Sequence, residues 1–216
     1  MKNIIFDFDG TLVDTAPLII TTMQAAMNEL GLPSRSESQC RATIGLRLDE
    51  IPSVLWPECK AVGQLYARTY RRIFDELKRK SDVRCFPEVI ETLMRFHRQG
   101  YGMAIASSRS RRSLEEYIAQ YGLTECFCRL VGGDDVSAGK PAPDAVLAIL
   151  GEQGWDASLT LTVGDSPVDI LMGRAAGTKT CAVTYGNGSL ADLEAVSPGH
   201  IIDRFASLSD IMNCLS

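Results

Sequence analysis

The feature that most constrains this chain is a rhythm of short apolar runs separated by amphipathic helices. A helical pattern at 87–99 leads through Gly100 into Met103-Ala104-Ile105-Ala106. Helical stretches at about 110–122, 141–152 and 167–176 are followed by Arg129-Leu130-Val131, Thr160-Leu161-Thr162-Val163 and Thr180-Cys181-Ala182-Val183. Such short apolar runs fit strands covered on both faces, and strands alternating with helices fit a parallel sheet. The opening run at 3–7, rich in apolar residues, belongs with them. The expected fold class is therefore α/β, with a Rossmann-like parallel-sheet core.

Between Asp14 and Arg84 no strand pattern occurs. Residues 15–30 read as a helix: Thr15 can cap it, Pro17 lies in its first turn, and Leu18, Met23, Met27 and Leu30 follow helical spacing. Gly31 ends it and Pro33 prevents its resumption. Residues 36–80 continue as short helical pieces, broken near Gly45 and at Pro52, with a longer helix from about Glu58 to Lys80. The division expected is a core of residues 1–14 and 85–216, interrupted by an inserted all-helical cap of residues 15–84.

Charge narrows the partners. The 216 residues carry a net charge of −5, with a pI of about 5.1. No basic field exists to draw in nucleic acid or an anionic membrane. Arg71-Arg72 and Lys78-Arg79-Lys80 flank the helical stripe Tyr66, Tyr70, Ile73, Phe74 and Leu77, so they read as its solvated face. Seven cysteines, at 40, 59, 85, 126, 128, 181 and 214, form no CxxC pair, and only two histidines accompany them. A zinc cluster is not expected, and the thiols suit a reducing compartment, the cytoplasm. The three apolar residues before Asp7 are too few for a signal peptide, and no run reaches membrane-span length. Trp56 and Trp155 read as packing residues.

The chemistry gathers where strands end. In open parallel sheets, ligands bind beyond the carboxyl ends of the strands. The first strand runs into Asp7-Phe8-Asp9-Gly10-Thr11, the 103–106 strand into Ser107-Ser108, and the 160–163 strand into Gly164-Asp165-Ser166-Pro167-Val168-Asp169. If the first strand stays extended, Asp7 and Asp9 point the same way. Like charges that close repel unless a cation lies between them, and hard oxygen ligands suit Mg²⁺. Lys140, in Gly139-Lys140-Pro141-Ala142-Pro143-Asp144, is set at the head of a helix by stiffening prolines. There it can offset negative charge on a nucleophile or a substrate.

These four pieces, in this order and strand context, resemble the motifs of the haloacid dehalogenase superfamily over essentially the whole chain. The insert resembles the C1 cap of its phosphoglycolate-phosphatase-like branch. The resemblance implies an Mg²⁺-dependent phosphatase that hydrolyses small phosphate monoesters through an aspartyl-phosphate. It makes Asp7 the nucleophile and Asp9 the general acid and base. The metal ligands it implies are Asp7, the backbone carbonyl of Asp9 and Asp165, with Asp169 in or just outside that set. Ser107 and Lys140 would hold the phosphoryl oxygens, and Gly10 would permit close backbone approach. Ser108 and Arg109 occupy positions that in relatives often face substrate; a helix cap and an exposed Arg read equally well. Arg47 lies near a turn resembling the branch's specificity loop, or is a surface Arg, and Asp14 resembles the hinge acid.

Residue identity sorts the reactions. Dehalogenases and phosphonoacetaldehyde hydrolases of this superfamily lack an acid at the position of Asp9, so phosphate ester chemistry is indicated. A sugar phosphomutase and a catalytically silent binding protein on the same fold are the alternatives. The partner expected is a small phosphorylated metabolite, and the assembly a monomer or small homo-oligomer. The natural substrate is left open.

Overall fold

The computed structural model describes residues 2–58 and 62–214. Cys59 and part of the expected start of the long cap helix lie outside the described residues, as does the side chain of Cys214. Six parallel strands form one sheet: β1 (Asn3–Phe6), β2 (Gly102–Ala106), β3 (Arg129–Val131), β4 (Thr160–Gly164), β5 (Lys179–Val183) and β6 (His200–Ile202), in the order β3-β2-β1-β4-β5-β6. The chain builds outward from β1 in both directions, which makes the end of β1 a topological switch point.

Side-chain alternation explains the two-sided burial. Ile4, Phe6, Met103, Ile105, Leu161 and Val163 enter the large core on one face of the sheet. Ile5, Ala104 and Ala106 enter the smaller core on the other. On that second face lie α7 (Asp144–Gln153), through Val146 and Ile149, and α8 (Pro167–Ala175), through Met172. Small residues bring α8 close: a Cβ on Gly173 would lie 2.7 Å from the Cβ of Thr162. Further helices are α5 (Val89–Arg98), α6 (Arg111–Gln120), α9 (Leu190–Ala195) and α10 (Leu208–Cys214).

Among the described residues, four helices stand between β1 and α5: α1 (Ala16–Glu29), α2 (Glu37–Arg41), α3 (Ile51–Leu55) and α4 (Gly63–Lys78), with α1 packed on α4. The α4 stripe is buried at Tyr66, Tyr70, Ile73 and Phe74, while Arg71 and Arg72 face solvent. Trp56 is fully buried, packs at a tilt against Tyr66 and donates its indole N–H to the Pro33 carbonyl at 2.9 Å. The chain leaves and re-enters the sheet layer side by side. Val13 and Cys85 form an antiparallel bridge, Asp14 N–H donates to the Arg84 carbonyl and Phe86 N–H to that of Leu12, each at 3.0 Å.

Three features differ from the sequence reading. Thr15 precedes α1 but makes no side-chain cap; its backbone is helical and its hydroxyl turns to Asp9 instead. β1 ends at Phe6, so the acid pair does not lie on a continuing strand. The sixth strand was not foreseen, because three residues, His200-Ile201-Ile202, are too short to display a period.

Candidate active site

The strands β2, β1 and β4 are neighbours, so their carboxyl ends meet. Fully buried Phe6 and Phe8 bracket Asp7, Phe6 packing edge-on against Phe127 and Phe8 against Tyr117. Asp7 N–H donates to the Val163 carbonyl at 2.9 Å, which extends the ladder one residue past β1. The chain then turns at Gly10, whose φ of +92° only glycine adopts readily. Close approach also requires glycine there, since a Cβ would fall 2.1 Å from Asp165 Oδ2 and 2.3 Å from Asn187 Nδ2.

Beyond those strand ends lies a buried charged cluster. Lys140 Nζ donates to Asp7 Oδ1 at 2.5 Å and to Asp169 Oδ1 at 2.6 Å, and all three side chains are at most 5% exposed. The loop that carries Lys140 has a cis Lys140–Pro141 bond. Asp169, in the first turn of α8, also accepts from Ser166 N–H at 3.1 Å and Ser166 Oγ at 2.5 Å. Asp165, just past β4, accepts from Thr11 Oγ1 at 3.1 Å and Asn187 N–H at 2.6 Å. Burial lifts the Asp7 carboxyl well above its ordinary range; Lys140 opposes this, and Asp169, Asp165 and Asp9 add to it. Burial also pushes Asp165 up to about 7, with Asp169 adding to the shift. Lys140 is raised as well: burial disfavours its charge, but Asp169 and Asp7 outweigh burial.

One lysine does not balance three buried carboxylates. Asp7, Asp165 and Asp169 each place a carboxylate oxygen within 4.8 Å of the others. Hard oxygen donors with unbalanced negative charge fit a divalent cation such as Mg²⁺. The Asp9 side chain is not in this group.

The other expected residues fall into two groups. Ser107 is buried, its N–H donating to the Val131 carbonyl at 3.0 Å, and it stands beside Asp7 on the wall of the cleft. Ser108 and Arg47 instead join the helical segment to the sheet. Ser108 Oγ donates to the Gly45 carbonyl at 2.5 Å. Arg47 Nη1 donates to the carbonyls of Val136 and Ser137 at 3.4 and 3.2 Å, and its stem lies against Gly139. Asp14 is exposed at the crossing between segments.

Three residues that position the site, Thr11, Thr15 and Asn187, were not assigned there from the sequence, and Arg109 was left between facing substrate and lying exposed. Thr11 and Asn187 hold Asp165, Thr15 holds Asp9 at 2.6 Å, and Arg109 grips Asp9 with Nη2 at 2.5 Å and Nε at 3.1 Å. Arg109 is therefore not an exposed arginine: its side chain is 8% exposed. A usable signal existed for Asn187, because Gly186-Asn187-Gly188 follows the end of another strand, β5. The site opens into a cleft of about 1150 Å³ between the sheet and the helical segment.

Residues 4–183 match the haloacid dehalogenase-like hydrolase family. Among curated proteins, the chain is 33% identical to "Probable phosphatase IndB" of Dickeya dadantii, over 95% of this chain and 90% of the relative. It is 30% identical to phosphoglycolate phosphatase of Aliivibrio fischeri, over 99% and 97%. A solved structure described as "a predicted phosphoglycolate phosphatase", from Haemophilus somnus, superposes with a TM-score of 0.84 at 27% identity, covering 98% of this chain and 97% of that one. The chain belongs to the haloacid dehalogenase-like hydrolase family. It is an enzyme, of the phosphatase class within that family. No described helix is long and apolar enough to cross a membrane.

Proposed function

We propose that the chain is an Mg²⁺-dependent hydrolase of small phosphate monoesters, phosphoglycolate-like in substrate and working in the cytoplasm through a phosphoryl group carried on Asp7. The observation that carries this reading is the buried cluster of Asp7, Lys140, Asp169 and Asp165 at the switch point of the sheet. Residues 15–84 act as the cap over that cluster, and residues 1–14 and 85–216 as the core.

The chemistry follows from the residues. Asp7 attacks phosphorus in line, one carboxylate oxygen forming the new P–O bond as the ester P–O bond breaks. The departing alkoxide takes its proton from Asp9. Asp9 then takes a proton from water as that water attacks phosphorus, which frees Asp7 and inorganic phosphate. Lys140 and Ser107 hold the phosphoryl oxygens and stabilise their charge. Burial favours a protonated Asp7, so attack requires positive charge beside it, and Lys140 supplies part. Asp7, Asp165 and the backbone carbonyl of Asp9 would hold Mg²⁺, with Asp169 at its margin, and the ion would add the remaining positive charge and polarise the phosphoryl group.

Phosphate release from a panel of phosphoglycolate, sugar phosphates, nucleotides and pyrophosphate, with Mg²⁺ and with EDTA, tests the reading. Hydrolysis that needs the metal, with phosphoglycolate among the best substrates, is expected. Metal-independent hydrolysis, or none across the panel, contradicts it. Isomerisation of a sugar phosphate without phosphate release points to a mutase.

A further inference from the structure

Two of the groups assigned to Mg²⁺ are touched by one residue that is not a ligand. Asn187 N–H donates to Asp165 Oδ2 at 2.6 Å, and Asn187 Nδ2 donates to the Asp9 carbonyl at 3.4 Å. The loop that carries Asn187 has no slack. Tyr185 Oη donates to the Thr11 carbonyl at 2.9 Å, and Gly188 N–H donates to the Asp165 carbonyl at 3.1 Å. A Cβ on Gly186 would overlap Asp165 and the Gly10 carbonyl, and one on Gly188 would overlap the Asp165 carbonyl. Tyr185-Gly186-Asn187-Gly188 is thus pressed against the two turns that bear these groups.

The other end of the Asn187 carboxamide is held from the helical segment. Arg41 Nη1 donates to Asn187 Oδ1 at 3.2 Å. Arg41 stands in the last turn of α2, which is short but fixed. Ser36 and Gln39 form a capping box, Cys40 is buried, and Arg41 Nη2 donates to Glu37 Oε1 at 2.9 Å. A guanidinium only donates, so it selects the carboxamide oxygen and turns the amino end towards the Asp9 carbonyl. That carbonyl has two lone pairs: one accepts from Asn187, and the other is left for a cation. Partners that orient ligands from outside the metal's own shell commonly govern its affinity. Arg41 and Asn187 do not line the cleft, so neither acts by touching substrate there.

We propose that Asn187 is a positioning residue for the cation site and that Arg41 sets it from the helical segment. With α2 in place, Arg41 fixes the carboxamide, the carboxamide aims the Asp9 carbonyl, and the Asn187 main chain aims Asp165. Drawing α2 away from the sheet frees the carboxamide and weakens Mg²⁺ binding. The position of the helical segment is thereby coupled to the metal through a residue pair outside the substrate cleft, and the coupling runs both ways. This rests on the proposed reading of Asp165 and the Asp9 carbonyl as Mg²⁺ ligands.

Calorimetric titration with Mg²⁺, without substrate, tests it. Asn187→Ala is expected to raise the Kd for Mg²⁺ by about 10-fold or more, and Arg41→Met by about fivefold. Added to Asn187→Ala, Arg41→Met is expected to change the Kd by less than about twofold, because its route is already gone. Effects that multiply in the double variant overturn the coupling. An unchanged Kd in Arg41→Met overturns it too, and a raised KM at saturating Mg²⁺ in that case would place Arg41 on the substrate instead. A purely structural role would lower the melting temperature of the metal-free variant and leave the Kd unmoved. Should Asn187→Ala not fold, Arg41→Met decides alone, since the Arg41 side chain is 36% exposed. Wild-type protein that binds no Mg²⁺ removes the ligand set itself, whereas wild-type binding that ignores Arg41→Met removes this inference only.

Discussion

Lys140 is bonded to two carboxylates in a buried site, and that fixes what its loss should do. In Lys140→Met, Asp7 and Asp169 keep their burial and lose their shared cation. Breaking a buried pair in this way costs about 3–5 kcal/mol, so a clear fall in melting temperature is expected. Phosphate release should fall by about 100-fold or more if Lys140 is, as proposed, a donor to the phosphoryl oxygens. A stable, active Lys140→Met protein would show that the cluster is not the reaction centre. At this scale much was legible in the sequence. Asp7, Ser107, Lys140, Asp165 and Asp169 each sit at a strand end or a helix start, which are local positions. Arg109 was left between facing substrate and lying exposed, because its burial is created by Phe74 and Tyr117, from distant parts of the chain. Thr15 looked like a helix cap, since its bond to Asp9 depends on a turn at Gly10 that spacing alone does not display.

The elements act as a jig for these side chains. Strand β4 delivers Asp165, and α8 begins at once so that Asp169 returns over the strand end. That return needs Gly164: a Cβ there would lie 2.2 Å from the Asp169 Cβ and 2.5 Å from its carboxyl carbon. Gly164→Ala is expected to push Asp169 away from Lys140. Overpacking of this kind costs about 1–3 kcal/mol, while turnover should drop by about tenfold or more because the lysine loses its second anchor. Kinetics and thermal melts together check this, and wild-type kcat in Gly164→Ala would contradict it. The alternation of helix and strand was readable because five of the strands are short apolar runs between clear helical periods. The boundaries moved by a few residues, as with α7, which starts at Asp144 after the two prolines and not at Pro141. β6 and α9 were not readable, because the last stretch offers too few residues of either period.

For the whole molecule, the acid cluster links stability, pH and metal. Asp165 lies near 7 when folded, and Asp7 is also raised, mainly by burial, against about 3.9 for an unfolded aspartate. A raised carboxyl means that the folded state binds more protons than the unfolded one in that window. The stability this contributes is full below about pH 4 and is lost as pH rises towards about 7. Metal-free protein should therefore lose melting temperature across that range, from these groups. Mg²⁺ competes with the protons, so the rise in melting temperature on adding it should be larger near pH 8 than near pH 5. Equal shifts at both pH values, or none, would contradict a shared cation site. The helical segment meets the sheet-side loops through the bonds of Ser108 to Gly45 and of Arg47 to the loop before Lys140. The sequence marks where that segment is inserted, because strand patterns stop at Asp14 and resume after Arg84. The contacts by which it meets the sheet are set by packing and could not be read in advance.

The central claim is that Asp7 itself attacks phosphorus. The most direct measurement is Mg²⁺-dependent phosphate release by Asp7→Asn, beside a melting curve that shows the variant folded. The account predicts a folded protein whose kcat is lower by about 1000-fold or more. A folded Asp7→Asn protein that releases phosphate at the wild-type rate would contradict it.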